Sequence, residues 1–450
     1  MRTFKFAAAF LLAASTLLSA QSVSTILTFN GANGANPLYV TFVQGRDGRL
    51  YGTTYSGGAN NLGAVIKVNL SDNNSVVVHS FSGTDGSSPG GGLTLATNGN
   101  FYGTTVMGGT SNLGVLYSIT ATGALTVLHN FAGGSDGEYP YGPPIQATDG
   151  NFYGATAGAP DTSNPATIYK LTSAGVYSVI FTFSQSTTGV AVYGLVQGSD
   201  GNLYAAANAG GADNSGTIVK VTTSGVLKGT HTFNPSNDGG HGPTYPVAPP
   251  MLASNGTLYG TTEGGGTYGG GTLYDISSTF GINVLYDFTG NGTNPNAGLV
   301  QGSDSNLYGV SSTFPEFYSW SLGGGYGALA SLGQGEFVAT PMQDTNGLFY
   351  GVSAIDGTHN DGFVYSFNNG LSPFVAFVKP RGAVGASVQI LGQGLTGSSS
   401  VTFNGIPASF SVASDTYMTA TVPAGATAGP VVVTTPTGTL TSNRSFTVTQ

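Results

Sequence analysis

The sequence predicts an all-β protein in which a seven-bladed β-propeller is followed by a small β-sandwich. Three observations support this prediction. A phrase related to GLVQGSDGNLY recurs seven times, each copy holds four short β-like runs, and the first copy is preceded by a single unpaired run. Of the 450 residues, 73 are glycine and 40% are hydrophobic. Abundant glycine and aromatic residues favour short strands and tight turns, and this apolar fraction is too high for a disordered chain.

The copies are counted on the tyrosine of the repeated phrase. Successive tyrosines are separated by 51, 51, 51, 55, 49 and 42 residues. In the fourth copy the four runs, a to d, are YGLVQGS, NLYAAA, GTIVKV and KGTHTF. Asp-Gly or Asn-Gly between runs a and b predicts a two-residue hairpin whose central residues both have positive φ. The aligned tyrosines are Tyr51, Tyr102, Tyr153, Tyr204, Tyr259, Tyr308 and Tyr350.

The phase of the repeats predicts how the propeller closes. The run ILTF (26–29) matches d runs such as VVHSF (77–81), whereas the seventh copy ends at its c run, GFVYSF (362–367). The N-terminal d strand is therefore expected to complete the last four-stranded blade, which leaves few exposed edges. A right-handed β-helix is the alternative, but its coils are shorter than about 50 residues.

The repeated motifs also carry a family resemblance. The phrases of the GLVQGSDGNLYGTT type, GGxxxxGTxxKV and LHNF resemble the repeat of bacterial exported proteins described as choice-of-anchor tandem repeat GloVer-containing. The resemblance covers roughly residues 23–370. It implies an exported repeat protein of uncharacterised activity.

Beyond residue 370 the repeat stops. Short alternating runs split by Gly, Pro and Ser predict a small sandwich. The pieces VQILGQGL (388–395), VTFNG (401–405) and ATVPAGATAG (420–429) resemble the IPT/TIG domain, which implies an immunoglobulin-like fold and a spacer or protein-contact role. The expected organisation is a signal peptide (1–20), a seven-bladed propeller (21–370) and an IPT/TIG domain (371–450).

The N-terminus and the charge indicate the compartment. Arg2 and Lys5 precede an apolar run that is too short to span a bilayer, which is typical of a cleaved export signal. The chain has no cysteine and a net charge of −9, and its remaining cations are scattered along the sequence. We therefore expect a secreted or cell-surface monomer without a transmembrane anchor, and no binding of nucleic acid.

Most polar residues of the repeats favour scaffold roles. Aspartates recur at the a–b turn, and His79, His129 and His231 share one d-strand position. Neither pattern has the spacing of a metal site, so no metal, cofactor or catalytic residue is assigned. Glu263 and Glu316 form a weak hypothesis for a carboxylate pair.

A recurring glutamine gives the one candidate binding feature. Five copies place it three residues before the a–b turn, where it would line a central channel or cap backbone groups of the hairpin. These residues are Gln44, Gln146, Gln197, Gln301 and Gln343.

The sequence thus favours an exported, non-catalytic binding protein whose partner is a polysaccharide or a cell-envelope protein. The alternatives are a carbohydrate-active hydrolase or lyase on a propeller scaffold and a structural matrix component. Whether the chain is an enzyme stays open at this point, with the balance toward a binding protein.

Overall fold

The computed structural model describes residues 21–158, 164–234, 242–289, 294–312 and 314–449. The predicted signal peptide lies outside the described residues. Within them the protein is all-β, with one short 3₁₀ helix (Gly134–Asp136). In this part of the chain, no helix has the length and apolar character needed to cross a membrane.

The repeat region forms seven antiparallel sheets among the described residues. The first strand is β1 (Ser22–Thr28). Sheets 1 to 3 contain β2 (Val43–Gln44), β3 (Leu50–Thr54), β4 (Ala64–Asn69) and β5 (Asn74–Ser80); β6 (Thr94–Leu95), β7 (Phe101–Thr105), β8 (Val115–Ile119) and β9 (Leu125–Asn130); and β10 (Ile145–Gln146), β11 (Phe152–Thr156), β12 (Thr167–Leu171) and β13 (Tyr177–Thr182).

Sheets 4 to 7 continue the pattern. They contain β14 (Val190–Gln197), β15 (Leu203–Ala209), β16 (Thr217–Val221) and β17 (Leu227–Thr232); β18 (Thr244–Pro246), β19 (Met251–Leu252), β20 (Leu258–Gly264), β21 (Thr272–Ile276) and β22 (Ile282–Asp287); β23 (Val300–Gln301), β24 (Leu307–Val310), β25 (Glu316–Trp320) and β26 (Tyr326–Ser331); and β27 (Met342–Gln343), β28 (Phe349–Ser353) and β29 (Phe363–Asn368).

The N-terminal strand completes the seventh sheet. Sheet 7 has the order β1-β29-β28-β27, and β1 pairs with β29 from Ser22 opposite Asn368 to Thr28 opposite Phe363. The other sheets follow chain order, and in sheet 5 the first strand is divided into β18 and β19, which both pair with β20. The pairing predicted from the phase of the repeats is confirmed.

Neighbouring sheets pack through the repeated aromatic positions. Consecutive strand residues point to opposite faces, so Leu203 packs with Tyr153 of sheet 3, whereas Tyr204 packs with Leu258 of sheet 5. The same arrangement stacks Tyr51 on Phe101 of the next sheet, with ring centroids 4.2 Å apart. The repeated phrase therefore supplies the apolar layers between sheets.

The a–b turn differs from the predicted two-residue hairpin. Gln197 pairs with Leu203, which leaves a five-residue connection, and only its Gly201 has a positive φ, of 80°. The prediction that Asp200 also adopts a positive φ is wrong. Its Oδ1 accepts the backbone N–H of Asn202 (3.0 Å), and such a local side-chain bond favours a turn with negative φ at the aspartate.

The predicted turn role of the aspartates is confirmed. In four repeats the aspartate accepts the hydroxyl of the repeat tyrosine at 2.7–2.9 Å. The pairs are Tyr51–Asp47, Tyr153–Asp149, Tyr204–Asp200 and Tyr308–Asp304.

The C-terminal region forms a separate core from ten strands. Two four-stranded antiparallel sheets, β30-β32-β36-β35 and β34-β33-β37-β38, enclose it, and β31 pairs in parallel with β39. The strands are β30 (Ala376–Phe377), β31 (Arg381–Ala383), β32 (Ser387–Leu391), β33 (Ser400–Phe403), β34 (Ile406–Pro407), β35 (Phe410–Ser414), β36 (Tyr417–Thr421), β37 (Val431–Thr435), β38 (Gly438–Thr441) and β39 (Thr447–Thr449).

This C-terminal module lies against the a–b turns. Gln389 Nε2 donates to the carbonyl of Thr97 (2.6 Å), and Gln393 Nε2 donates to Thr345 Oγ1 (3.2 Å). The Arg46 guanidinium lies over the Tyr417 ring, 4.8 Å from its centroid. The opposite ends of the inner strands are not involved in these contacts.

Candidate functional site

The seven sheets meet at a cavity of about 300 Å³, called here the central cavity. Every repeat contributes to its wall residues at or just before its short inner strand, and in the fourth repeat these residues belong to β14 itself. One residue of each repeat occupies an equivalent position in this wall, called here the outer level of the cavity. It lies twelve positions before the repeat tyrosine, or eleven positions before it in the fourth copy. These residues are Tyr39, Gly90, Tyr141, Tyr193, Val247, Asn296 and Val338.

Three of these residues are tyrosines, and their rings touch. The rings of Tyr39 and Tyr193 are parallel within 9°, with centroids 6.5 Å apart, although they come from sheets 1 and 4. Tyr141 meets Tyr193 edge-on at 5.3 Å. Tyr39 is 50% exposed, so the aromatic group is open to solvent. Gly90, which has no side chain, occupies the equivalent position between Tyr39 and Tyr141.

The three phenols are neutral hydrogen-bonding groups at physiological pH. Burial raises the pKa of Tyr193 to about 12, with smaller contributions from Tyr39, Tyr141 and Glu263. Burial also raises the pKa of Tyr39, and the negative charges of Glu336 and Glu263 add to it. The pKa of Tyr141 is raised by burial and by neighbouring tyrosines.

Polar groups accompany the aromatic cluster. The Oδ1 atom of Asn296 is buried and has no hydrogen-bond partner among the described residues. A buried acceptor without a partner is costly, and this one belongs to a residue of the cavity wall. Glu263 and Glu336 are near enough to act on Tyr39 electrostatically, but neither belongs to the cavity wall.

The five glutamines lie at the other end of the inner strands, where their amides join sheets. The Oε1 atom of each glutamine accepts a hydrogen bond from a backbone N–H in the a–b turn of the preceding sheet. For Gln44 of sheet 1 the donor is the N–H of Thr345 in sheet 7. The other pairs, at 2.7–2.9 Å, are Gln146–Thr97, Gln197–Thr148, Gln301–Ser254 and Gln343–Ser303.

Most of these amides also cap their own hairpin. The Nε2 atoms of Gln146, Gln197, Gln301 and Gln343 donate to a carbonyl four residues ahead, at 2.9–3.3 Å. Gln44 Nε2 instead donates to Thr345 Oγ1 (2.8 Å). Both ends of every glutamine amide therefore bond to protein.

Two junctions lack this glutamine and have another polar link. Leu95 replaces it in sheet 2, and there Arg46 Nη2 donates to the carbonyl of Thr97 (2.9 Å). Leu252 replaces it in sheet 5, where Ser199 Oγ donates to the carbonyl of Gly256 (3.3 Å). All seven junctions between consecutive sheets, including sheet 7 to sheet 1, thus carry a polar bond.

The recurring histidines do not belong to the wall of the central cavity. His79 Nε2 lies 2.8 Å from Asp85, and His129 Nε2 lies 2.9 Å from Asp136, as expected for scaffold hydrogen bonds. His241 lies outside the described residues. Among the described residues, no group of three or more His, Asp or Glu side chains has the geometry of a metal site.

Glu263 and Glu316 have different neighbours. Glu316 accepts the hydroxyl of Tyr326 on the outer strand of its sheet, whereas Glu263 acts on the tyrosines of the central cavity. The carboxylate that shares the surroundings of Tyr39 with Glu263 is Glu336.

Sequence reasoning missed the tyrosine cluster because Tyr39 and Tyr141 lie before the recognisable a run of their repeats, whereas Tyr193 is the first residue of the a run YGLVQGS. Tyr193 is also displaced by one position in the alignment, eleven instead of twelve residues before its repeat tyrosine. Aligning residues twelve positions before the repeat tyrosine would have found Tyr39 and Tyr141.

The comparisons with known proteins agree with this architecture. The Gloeobacter/Verrucomicrobia repeat matches residues 14–161, 142–313 and 193–409, and the IPT/TIG domain matches residues 373–448. No curated protein matches the chain.

Among solved structures, a streptogramin B lyase is similar with a TM-score of 0.54 at 13% identity, covering 79% of this chain and 99% of the lyase. A catalytically inactive virginiamycin B lyase from Staphylococcus aureus, with quinupristin, has a TM-score of 0.54 at 12% identity and coverages of 77% and 99%.

The extracellular domain of a putative hybrid two-component system from B. thetaiotaomicron has a TM-score of 0.51 at 11% identity, covering 82% of this chain and 45% of that one. At these identities the likeness shows a propeller-like fold alone. The repeat matches span most of the sequence, and the chain therefore belongs to the Gloeobacter/Verrucomicrobia repeat family, with a C-terminal IPT/TIG domain.

Proposed function

We propose that the seven sheets are the blades of one closed propeller (21–370), followed by an immunoglobulin-like sandwich (371–450) and preceded by an export signal (1–20). The pairing of β1 with β29 and the bond between Gln44 and Thr345 support closure, because both join the two ends of the repeat region. The two sheets around one apolar core support the sandwich.

We propose further that this protein acts outside the cytoplasm as a non-catalytic binding protein for a polysaccharide. One observation carries the proposal: Tyr39, Tyr141 and Tyr193, from three different repeats, meet at the central cavity. Aromatic side chains offer apolar faces with a polar tip, which suit the mixed C–H and hydroxyl surface of a sugar.

The proposed roles follow from the chemistry of these groups. The exposed face of Tyr39 packs against the C–H face of a sugar ring. The neutral phenols of Tyr141 and Tyr193 exchange hydrogen bonds with sugar hydroxyls. The glutamine amides at the opposite end link the blades, since their donors and acceptors are already occupied.

A carbohydrate-active enzyme is the second candidate, and one observation favours it. Glu263 and Glu336 both lie near Tyr39, and glycoside hydrolysis uses two carboxylates. Against it, neither carboxylate belongs to the wall of the central cavity. A cell-envelope protein as partner and a structural matrix role remain alternatives to a saccharide.

A glycan array combined with a reducing-end hydrolysis assay tests these candidates on residues 21–450. We expect binding of a neutral oligosaccharide without turnover, and a loss of about twofold to tenfold in Tyr193→Ala, since a hydrogen bond from its phenol contributes about 0.5–1.5 kcal/mol. Tyr268→Ala is the control, because Tyr268 is 60% exposed and outside the cavity wall. Equal affinity of Tyr193→Ala and the unmodified protein would contradict the proposed site.

Turnover that disappears in both Glu263→Gln and Glu336→Gln would instead establish the enzyme. Retention of glycan binding in those two variants, with no turnover in any protein, would support the binding function.

A further inference from the structure

A second cavity lies between the C-terminal module and the a–b turns, and is called here the junction cleft. Its volume is about 500 Å³. The module bonds to turns of sheets 1, 2, 3 and 7 through contacts such as Gln389–Thr97 and Gln393–Thr345. The module therefore lies to one side of the ring of a–b turns. The cleft is next to turns that the module does not contact in this way, including those with Ser199 of sheet 4 and Ser254 of sheet 5.

The junction cleft concentrates positive charge in an acidic protein. Lys379, Arg381 and Arg444 line it, whereas residues 21–450 contain nine Lys and Arg in all. None of the described residues that line it is acidic. The sequence-based expectation that the cations remain scattered is wrong here, because the fold brings residue 444 next to residues 379–381 through the parallel pairing of β31 with β39.

Two of these cations have no counter-charge in the part of the chain that the structure describes. The four ion pairs among the described residues involve other side chains, and Arg381 and Arg444 make no side-chain hydrogen bond there. Lys379 Nζ donates to the carbonyl of Thr148 (3.0 Å) and to no other acceptor among the described residues. Burial lowers the pKa of Arg444, so an anion beside it would relieve the cost of its desolvation.

We propose that the junction cleft binds a carboxylate-bearing saccharide, with Arg381 and Arg444 as the groups that recognise the carboxylate. Guanidinium groups pair with carboxylates through two parallel hydrogen bonds, which gives both strength and geometry. The facing wall supplies the hydroxyl of Ser254 and the hydroxyl oxygen of Ser199, which can still accept a hydrogen bond while it donates to the carbonyl of Gly256, and both match sugar hydroxyls.

The strand edges at the cleft and its volume favour a saccharide over an acidic peptide. The inner strands at this wall, β10 and β19, are two residues long and already pair with β11 and β20. They offer too little edge for an added peptide strand. The volume also exceeds what one inorganic anion fills, and lies in the range of pockets for small organic ligands.

Isothermal titration of residues 21–450 with trigalacturonate tests the proposal, with neutral maltotriose, a hexaglutamate peptide and inorganic sulfate as comparison probes. We expect trigalacturonate to bind and maltotriose to leave the cleft empty. Arg381→Gln and Arg444→Gln should each weaken trigalacturonate binding about tenfold or more, as expected for a charged hydrogen bond lost. Raising NaCl from 50 to 300 mM should weaken it further.

Lys228→Gln is the matched control, because it removes the same charge at an exposed position outside the cleft. Arg444→Lys keeps the positive charge but cannot form the two parallel hydrogen bonds of a guanidinium group. We expect this variant to fold as the parent does and to bind trigalacturonate with intermediate affinity. Unchanged affinity in both glutamine variants would overturn the site. Tighter binding of hexaglutamate or sulfate than of trigalacturonate would overturn the ligand class.

The test is separate from that of the central cavity. Tyr193→Ala should leave trigalacturonate binding at the cleft unchanged, whereas a parallel loss would show that the acidic sugar occupies the central cavity instead.

Discussion

Asp344 gives the sharpest prediction, because it is fully buried where the seventh sheet meets the C-terminal module. Its Oδ2 accepts the backbone N–H of Asn346 (3.0 Å) and Nε2 of Gln393 (3.3 Å). Its Oδ1 is buried without a hydrogen-bond partner among the described residues. Burial raises the pKa of this carboxyl to about 6, against the opposing effect of those hydrogen bonds.

The sign of the pH dependence follows from linkage. Because the folded state holds this proton more tightly than the unfolded state, the group favours folding at low pH, and that contribution is lost as the pH rises from about 4 to 6. A shift of about two pKa units corresponds to about 3 kcal/mol in the free energy of unfolding. Asp344→Asn cannot ionise, and its amide oxygen can still accept from Gln393. We therefore expect Asp344→Asn to be more stable than the parent protein at pH 7.5, by up to about 3 kcal/mol.

Urea unfolding between pH 4 and pH 7.5 measures this difference, and fluorescence of Trp320, the one tryptophan in the sequence, reports it. Asp200→Asn is the control with the opposite sign. Burial opposes the shift, but hydrogen bonds from Lys220, Asn202 and Tyr204 hold the pKa of Asp200 at about 2. Its contribution is therefore present at neutral pH and is lost only as the pH falls below about 4. Parallel stability curves for Asp344→Asn and the parent from pH 4 to 7.5 would refute the reasoning.

Three further changes test how the sheets are joined, each by urea unfolding. Gln44→Leu removes the bond between sheets 1 and 7 and leaves the N–H of Thr345 unpaired, so we expect a loss of about 1–3 kcal/mol, and no loss would contradict the bridging role. Gly92→Ala should cost about 1–3 kcal/mol or more, since its Cβ would lie 2.1 Å from the carbonyl oxygen of Thr41, whereas free accommodation would show that the strands are less closely packed. Leu252→Gln introduces the repeated glutamine beside Ser199. We expect the free energy of unfolding to stay within about 1 kcal/mol of the parent, because two hydrogen bonds of the new amide offset the lost apolar contact. A loss of about 3 kcal/mol would show that the new amide finds no hydrogen-bond partner at this position.

The features that repeat could be predicted from sequence, and those that depend on a single tertiary contact could not. The repeat tyrosines and the turn aspartates recur in register, so their scaffold role follows from the alignment. The turn type was mispredicted because the Asp-Gly rule considers the backbone, whereas Asp200 Oδ1 bonds to the N–H of Asn202 and selects another turn.

The junction cleft shows the limit of sequence reasoning. Arg381 and Arg444 are 63 positions apart, and no spacing rule relates them. The parallel pairing of β31 with β39 joins the beginning and the end of the C-terminal module. This pairing, together with the off-centre position of the module, places both residues in the wall of the cleft, opposite the turns of the repeats.

The two repeats that lack the glutamine show how scaffold residues can be distinguished from candidate site residues. At Leu95 and Leu252 the amide is absent, yet Arg46 and Ser199 supply a different polar bond at the same junctions. When one residue is replaced and another residue supplies a polar bond at the same junction, the fold requires the bond and not a particular residue type. The outer level of the central cavity behaves differently, since tyrosine, glycine, valine and asparagine occupy equivalent positions there and the oxygen of Asn296 stays unpaired. The residue type at this level differs from repeat to repeat, which is what the proposed saccharide site requires, because a site built from single copies of different groups cannot itself be a repeated feature.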